Sequence, residues 1–493
     1  MVMLQFCTWA LFLLLRMGVV GIIAGITIAC GETPSSNTTN DVSIQTLAFP
    51  GAEGFGRFAS GGRGGRTIDV TNLNNSGPGS LRQCAEVETG ARICRFAVSG
   101  TIALVPVAGI ASDIMITNDR VTIDGSTAPE GGIALKDGGL TIKANHVIVR
   151  HMRVRPGLKN YLKNNVNANG ISIQGNEGVP ISNVIVDHCS VSWTGDDLLK
   201  TTLGVDNVTI QWSIASEGLI GCPGSCGGKG FLMGYGARSV SFHHNLSAHN
   251  WIRWPEVTGG GNSPGFTGRL DFVNNVQYNG NGTDTIIDPH HGPIFINFDG
   301  NYWKDGLDAL PLNIRKPVIR AVGGLTYSSQ AGLFVTNNYG RYWTTDPNDR
   351  EALSYGVASP DRNIIWGDNG GLEVAATRYD YPLVTTTDPV QAFNDVLAGA
   401  GAFPRDSVDT RVINDVRNGT GHWNKDPADM GGWPVLTAGT PPADTDHDGM
   451  PDTWELSYGL NPSNSSDGPQ DADSDGYTNF EEYLNNSNPL LKL

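Results

Sequence analysis

The stretch Ser182–Trp193 reads SNVIVDHCSVSW and holds two short runs in which β-branched residues alternate with polar ones. The same arrangement returns as DNVTIQWSIAS at 206–216, RSVSFHHNLSAH at 238–249 and IFINFDGNYW at 294–303. Each run has the composition and the period-two alternation of a β-strand. The central part of the chain is therefore predicted to be all-β.

The spacing of these runs decides between two all-β architectures. Corresponding positions lie 24 to 37 residues apart, counted over Val147, Val184, Val208, Val240 and Asp271. A β-sandwich, the less favoured alternative, turns every 8–12 residues or so, whereas recurrence at roughly 20–50 residues indicates a solenoid. We expect coils of three short strands stacked in parallel, each turn closed by Asn or Gly because these residues tolerate left-handed dihedrals.

Charge excludes one class of partner. The 493 residues contain 33 Lys and Arg against 49 Asp and Glu, a net charge of −16, and no dense basic run. Nucleic acid is therefore not an expected partner. Eleven carboxylates follow position 443 against Lys492 alone, which marks a separate acidic tail.

The first 30 residues are mostly apolar and are interpreted as an export signal. The segment ITIAC, which ends at Cys30, is similar to a bacterial lipoprotein cleavage site, so attachment to a membrane through Cys30 and ordinary secretion both remain open. Residues 31–47 are polar and are interpreted as a tether.

The remaining cysteines form two close pairs and one single residue. Cys84 with Cys94, and Cys222 with Cys226, are predicted to form local disulfides, with a metal or redox role for the second pair as the alternative. Cys189 lies between apolar positions and is predicted to be buried.

Several motifs in order resemble secreted pectate lyases. They include AFPGAEGFGRFASGGRGG at 48–65, VTNLNNSGPGSLRQC at 70–84 and HHNLSAHNWIRWP at 243–255. The resemblance covers 48–419 and implies a right-handed parallel β-helix that cleaves polygalacturonate by calcium-assisted β-elimination. Within this segment, DPVQAFNDVLAGAGA at 388–402 has helical spacing.

The resemblance also implies roles for individual residues. Arg253, in the Arg-x-Pro sequence Arg253-Trp254-Pro255, corresponds to the catalytic base. Lys229 corresponds to a lysine that contacts the substrate carboxylate. Thr258 stands where the family often has a second arginine, which puts one substrate contact in doubt.

The calcium ligands implied by the resemblance depart from the family pattern. They are assigned to Asn167, Asn169, Asp196 and Asp197. Lys200 stands where some members have another aspartate, and asparagines replace an Asp-x-Asp element, so calcium is expected to bind weakly without substrate. Asp187 is predicted to support the cleft, either from a second layer behind the ligands or by stabilising the fold, and not as a direct ligand.

The acidic tail carries two copies of a calcium-loop pattern with oxygens at positions 1, 3, 5, 7, 9 and 12 and glycine at position 6. The first loop comprises Asp444, Asp446, Asp448, the Met450 carbonyl, Asp452 and Glu455. The second comprises Asp471, Asp473, Asp475, the Tyr477 carbonyl, Asn479 and Glu482. We expect an EF-hand-like or thrombospondin-type module at 444–493, joined by a Pro- and Gly-containing linker at 420–443, with partner docking as an open alternative.

The expected function is thus that of a calcium-dependent pectate lyase, secreted and monomeric. Two alternatives remain. Asp196 and Asp197 have the carboxylate pairing of a polygalacturonase-type hydrolase, and a β-helix without catalysis could serve as a carbohydrate-binding or adhesive protein.

Overall fold

The computed structural model describes most of the chain after residue 44. The described ranges are 45–106, 112–159, 169–175, 179–221, 227–259, 267–281, 285–288, 292–309, 319–321, 331–340 and 372–492. From Gln45 onward the chain forms one compact unit. Cys30, Asn167, Cys222 and Cys226 lie outside the described residues.

Three sheets, all with parallel strand pairing, make up the fold. The first sheet has eleven strands: β1 (Arg66–Val70), β2 (Arg92–Phe96), β5 (Val121–Asp124), β8 (Val147–Arg150), β11 (Ile181–Asp187), β14 (Val205–Gln211), β17 (Ser239–His243), β20 (Gly268–Val273), β23 (Ile294–Asp299), β26 (Ala331–Thr336) and β27 (Leu372–Val374). The second has eight: β4 (Ile114–Ile116), β7 (Leu140–Ile142), β10 (Ile171–Gln174), β13 (Asp197–Thr202), β16 (Lys229–Met233), β19 (Glu256–Thr258), β22 (Thr285–Asp288) and β25 (Ile319–Ala321). The third also has eight: β3 (Gly100–Ala103), β6 (Ile133–Lys136), β9 (Arg153–Arg155), β12 (Ser190–Ser192), β15 (Ile214–Ser216), β18 (Leu246–Ala248), β21 (Val276–Tyr278) and β24 (Tyr302–Lys304).

The chain visits the three sheets in turn, which confirms the stacked three-strand coils expected from the spacing and the right-handed parallel β-helix that the family resemblance implies. Val184 pairs with Val147 on one side and Val208 on the other, and all three are buried in one aliphatic core. The expected last member of this row was wrong by one residue, because Val240 pairs with Leu270. An inward-facing row requires an apolar side chain at each rung, and Asp271 lies on the opposite face of the strand.

The turns after the strands of the first sheet use left-handed dihedrals, as expected, at Asn or Gly in the later turns and at larger residues in the earlier ones. Asn274 and Gly300 have φ of 49° and 65°. In earlier turns the same conformation belongs to His188, Trp212 and His244, with φ between 48° and 55°. Their rings stack, with centroids 6.1 Å and 4.4 Å apart, which helps to offset the backbone strain.

An asparagine ladder runs along the helix axis next to these turns. It comprises Asn245, Asn275, Asn301 and Asn338, each of whose Oδ1 atoms accepts a hydrogen bond from the backbone N–H of the preceding turn, at 2.8 to 3.0 Å. The Nδ2 groups donate to backbone carbonyls. All four side chains are buried and satisfied, so the ladder ties successive turns together at little desolvation cost.

Two helices cover the third sheet. The predicted helix is α1 (Pro389–Gly399), and α2 (Ser407–Asn418) follows it. Asp388 and Asp406 cap their N-termini. The apolar faces of the helices pack on residues of β15, β18 and β21 in one buried cluster. None of the described helices is long and apolar enough to cross a membrane.

One predicted disulfide is present, between Cys84 and Cys94, whose Cα atoms are 5.9 Å apart. It fastens the turn before β2. Cys189 is free and buried, as predicted.

The tail, residues 444–492, lies against the first strands of the β-helix. It contains α3 (Asp452–Tyr458) and α4 (Asn479–Asn485). Ile93 of β2 packs with Met450 and Phe480 of the tail. The segment predicted as a linker is fastened too, because the indole N–H of Trp433 donates to the Arg155 carbonyl at 3.0 Å.

Candidate active site

The predicted site residues meet at the edge where strands of the second sheet begin. Asp197 is the first residue of β13 and pairs with Lys229, the first residue of β16. Arg253 precedes β19, and its carbonyl accepts from the N–H of Phe231 in β16. Parallel stacking of three turns therefore brings together residues up to 56 positions apart.

Arg253 is held by two carboxylates. Its Nη1 donates to Asp197 Oδ1 at 2.6 Å, and its Nε lies 2.7 Å from Glu256 Oε2. Burial alone would lower the pKa of Arg253, but Asp197 and Glu256 outweigh burial and raise it above its ordinary value. The Arg253 side chain is 19% exposed, so it is held by its partners but is not sealed from solvent.

Two lysines complete the charged cluster. Lys229 Nζ donates to Asp196 Oδ1 at 2.5 Å. Lys200 Nζ lies 3.9 Å from Asp197 Oδ2. Each predicted aspartate is thus paired with a cation, and Lys200, which replaces an expected acid, is part of the same cluster.

The residues present suit a hard cation in one respect. Asp197 Oδ2 is buried and has no hydrogen-bond partner among the described residues. Asn169 Oδ1 accepts from the Asp197 N–H at 3.3 Å, so this amide also supports the aspartate loop. Carboxylate and amide oxygens with one unpartnered atom are a donor set that calcium accepts.

Sequence reasoning missed Glu256. Its spacing from Arg253 carries no signal outside a helix, and only the turn before β19 brings the two side chains together. The RWPE sequence at 253–256 offered no further indication.

Asp187 lies in the first sheet, not beside the cluster of Arg253. Its carboxylate accepts from Gln211 Nε2 at 2.9 Å and from Arg150 Nε at 3.1 Å. Burial would raise its pKa, but His188 and Arg150 reverse this and lower it. These contacts give Asp187 a structural role in the first sheet, which is the fold-supporting role that the sequence analysis left open.

The first tail loop gathers carboxylates with unpartnered oxygens. Asp446 and Asp448 each direct one oxygen to a loop N–H and leave Oδ2 without a partner among the described residues. Glu455 is fully buried and has both oxygens unpartnered. Asp444 Oδ1 is likewise unpartnered.

The second tail loop has the same construction. One carboxylate oxygen from each of Asp471, Asp473 and Asp475 lies within 4.8 Å of the others. Glu482 is fully buried, and its Oε2 has no partner in the described part of the chain. Asn479 Oδ1 accepts from the N–H of Ala472, so this position closes the loop.

Comparison with known proteins gives a consistent result. The chain is 36% identical over 449 residues to "Probable pectate lyase C" of Aspergillus fumigatus, covering 90% of this chain and 94% of that one. It is 37% identical over 452 residues to the protein of the same name from Aspergillus terreus, again covering 90% and 94%. No family model matches the chain.

Solved structures align at lower identity. The major allergen from cedar pollen aligns with a TM-score of 0.47 and 18% identity, over 71% of this chain and 92% of that one. A thermostable pectate lyase, PL 47, aligns with a TM-score of 0.49 and 14% identity, over 74% and 100%.

The curated relatives match nine-tenths of the sequence at more than one third identity. With the parallel β-helix and the clustered residues described above, this similarity shows that the chain belongs to the pectate lyase family and is a polysaccharide lyase.

Proposed function

We propose that the enzyme cleaves polygalacturonate by β-elimination, with Arg253 as the base that removes the C5 proton. The observation that carries this proposal is the guanidinium fixed between Asp197 and Glu256 at the edge of the second sheet. Arg253 first releases a proton to solvent and, in its neutral form, accepts the C5 proton. The C5–H electron pair becomes the C4–C5 double bond, and O4 leaves with the pair of the glycosidic bond and takes up a proton from water. The product is an unsaturated uronide.

Arg253 needs help to act as a base, because Asp197 and Glu256 raise its pKa and hold its proton. Calcium bound by Asp196 and Asp197 would neutralise the charge of these two aspartates and of the substrate uronate. It would also stabilise the charge that develops on the substrate. Asn169 contributes by fixing the loop of Asp197. Asn167 is retained as a proposed ligand on the strength of the sequence resemblance.

Lys229 is proposed to bind the substrate carboxylate. In this structure its ammonium is paired with Asp196 and its side chain is 21% exposed. A substrate carboxylate could therefore take over the ion pair when Asp196 turns to a metal ion. The site would exchange one set of charge pairs for another and keep its total charge compensated.

The test is product analysis on polygalacturonate with added calcium. Elimination makes a conjugated double bond that absorbs in the near ultraviolet, whereas hydrolysis makes reducing ends without that absorbance. We expect absorbance and reducing ends to rise together. Reducing ends without the absorbance would indicate a hydrolase and refute the proposal. Absence of both signals would indicate a protein that binds the polysaccharide without cleaving it.

We also propose that the two tail loops bind structural calcium ions. The support comes from their unpartnered buried carboxylate oxygens, Glu455 in the first loop and Glu482 in the second. Backbone carbonyls of Met450 and Tyr477 would supply position 7. Calorimetric titration of calcium into the metal-free protein should show two tight sites. A titration that shows no tight site would refute the proposal.

Export is proposed from three features: the apolar first 30 residues, the disulfide between Cys84 and Cys94, and the calcium loops. These suit an oxidising, calcium-rich medium. Mass spectrometry of the mature N-terminus would distinguish plain secretion from lipidation at Cys30, and light scattering would test the monomeric state.

A further inference from the structure

The tail contains one acidic residue that lies outside both loop patterns and still faces the first loop. Asp467 is in the connection between the two loops. One carboxylate oxygen of Asp467 lies within 4.8 Å of oxygens from Asp446, Asp448 and Glu455. We infer that Asp467 is a calcium ligand of the first loop, and that this ion fastens the tail to the first strands of the β-helix. The inference rests on the proposed calcium binding by the tail.

The linear loop pattern makes Asp452 a calcium ligand, but in the structure Asp452 holds the loop together and Asp467 supplies the oxygen that is available to the ion. Asp452 Oδ1 accepts from the Thr445 N–H at 2.7 Å, and its Oδ2 accepts from the Thr445 hydroxyl at 2.8 Å. Both oxygens of Asp452 are therefore occupied. Asp467 Oδ2 accepts from the Asn461 N–H, while Oδ1 has no partner among the residues that the structure describes.

Burial makes this free oxygen informative. Asp467 is 7% exposed, Asp448 is 8% exposed and Glu455 is fully buried. None of these carboxylates has an ion pair with Lys or Arg in the described part of the chain. Buried carboxylates with unpartnered oxygens are costly unless a cation compensates them, and an all-oxygen set selects calcium.

The same loop contacts the β-helix at two points. Asp444 Oδ2 accepts from Arg95 Nη1 of β2 at 2.5 Å, and Arg95 also pairs with Asp69 of β1. Met450 would offer its carbonyl to the ion, while its fully buried side chain lies in one apolar cluster with Phe480 of the tail and Ile93 of β2. Ion binding orders the residues that make the docking contact.

Because one set of residues serves both events, calcium binding and tail docking must strengthen each other by the same factor. Without calcium, mutual repulsion of the buried carboxylates opposes the loop geometry that places Met450 against β2. With calcium, the loop and the edge of the first sheet become one stable unit. β1 is the terminal strand of that sheet and pairs with β2, so it should be stabilised together with β2.

The ligand assignment is tested with two charge-neutralising variants in the full-length chain. Asp467→Asn should raise the calcium concentration at half-protection of the tail amides at least tenfold, measured by hydrogen exchange with mass spectrometry. Asp452→Asn should change it less than threefold, because its amide can keep both bonds to Thr445. An unchanged midpoint in Asp467→Asn would overturn the assignment.

The second part of the inference, that the bound ion fastens the tail to β1 and β2, is called the clamp below. It is tested in the same experiment by following the amides of β1 and β2. In the wild-type chain we expect calcium to slow exchange of these strands together with the tail. Met450→Ala keeps the carbonyl ligand and removes the docking side chain, so its tail should still gain protection while β2 exchanges at least tenfold faster than in wild type at saturating calcium. Amides of β20 serve as the internal reference.

Three outcomes separate the claims. If calcium leaves the tail amides of the wild type unprotected, tail calcium binding itself fails, and the clamp fails with it. If the tail gains protection while β1 and β2 exchange at the same rate with and without calcium, only the clamp is refuted. The elimination chemistry at Arg253 stands or falls separately, on the product assay.

Discussion

Arg253→Lys is the substitution that tests the catalytic assignment most directly. The arginine contacts Asp197 through Nη1 and Glu256 through Nε, at 2.6 Å and 2.7 Å. A lysine ammonium is a point donor on a flexible stem and cannot satisfy both carboxylates in that fixed geometry. Charge is kept, but the orientation of the proton acceptor toward C5 is lost.

The expected magnitude follows from two separate effects. General base catalysis typically contributes about 10²–10⁴ in rate, so kcat should fall by that factor, which corresponds to roughly 3–5 kcal/mol. The stability effect should be smaller, because lysine keeps a positive charge beside the buried Asp197 carboxylate, and a buried ion pair is costly to break mainly when one charge is left uncompensated. We therefore expect a folded, substrate-binding protein that turns over slowly.

The assay is initial-rate absorbance of the unsaturated product on polygalacturonate at fixed calcium, with KM measured separately. Arg66→Lys is the matched control, since Arg66 is 61% exposed and pairs only with Glu88 among the described carboxylates. It should leave kcat within a factor of two. Activity of Arg253→Lys within about threefold of wild type would show that another group removes the proton.

Three further predictions concern charge, histidine burial and the disulfide. Glu256→Gln removes a carboxylate that raises the pKa of Arg253, so the limb of kcat/KM that rises with pH should move to lower pH; a limb that stays in place would contradict the positioning role. Burial lowers the pKa of His244 to about 4, so its neutral form contributes stability above pH 6.5 that is lost as pH falls toward 4. Between pH 6.5 and 4 the unfolding free energy of His244→Asn should therefore fall by up to about 3 kcal/mol less than that of the wild type. Urea unfolding at each pH measures this difference, and equal falls in the two proteins would refute the prediction. Replacing Cys84 and Cys94 by Ala should cost about 2–3 kcal/mol of unfolding free energy, measured by denaturant titration, and no loss would mean that the bond adds nothing to stability.

The β-helix could be predicted because its cause is local and repeated. Short alternating runs such as Ser182–Trp193 return at intervals too long for hairpins, and each buried row needs an apolar residue at every turn. One position was wrong by one residue: the row passes through Leu270, while the predicted Asp271 is the polar residue between Leu270 and Phe272 and lies on the other face of the strand. The strand itself was correct.

The contacts that sequence reasoning could not reach are those between distant segments. The Arg253 cluster was predicted from motif resemblance, but Glu256 joins it only through the turn before β19. Asp467 falls outside a loop pattern that is defined by consecutive spacing. The buried cluster that contains Ile93 and Met450 joins segments 357 positions apart in the chain. Neither segment carries a sequence pattern that predicts its partner.

The asparagine ladder has a consequence for how such a molecule changes over time. Its members are 30, 26 and 37 positions apart along the chain, yet each makes the same bond to the next turn. The ladder thus has one asparagine in each of these turns, whatever the number of residues between them. Loops between the rungs can grow at an entropic cost of only about 0.6 kcal/mol for each doubling of length, while the rungs keep their alignment.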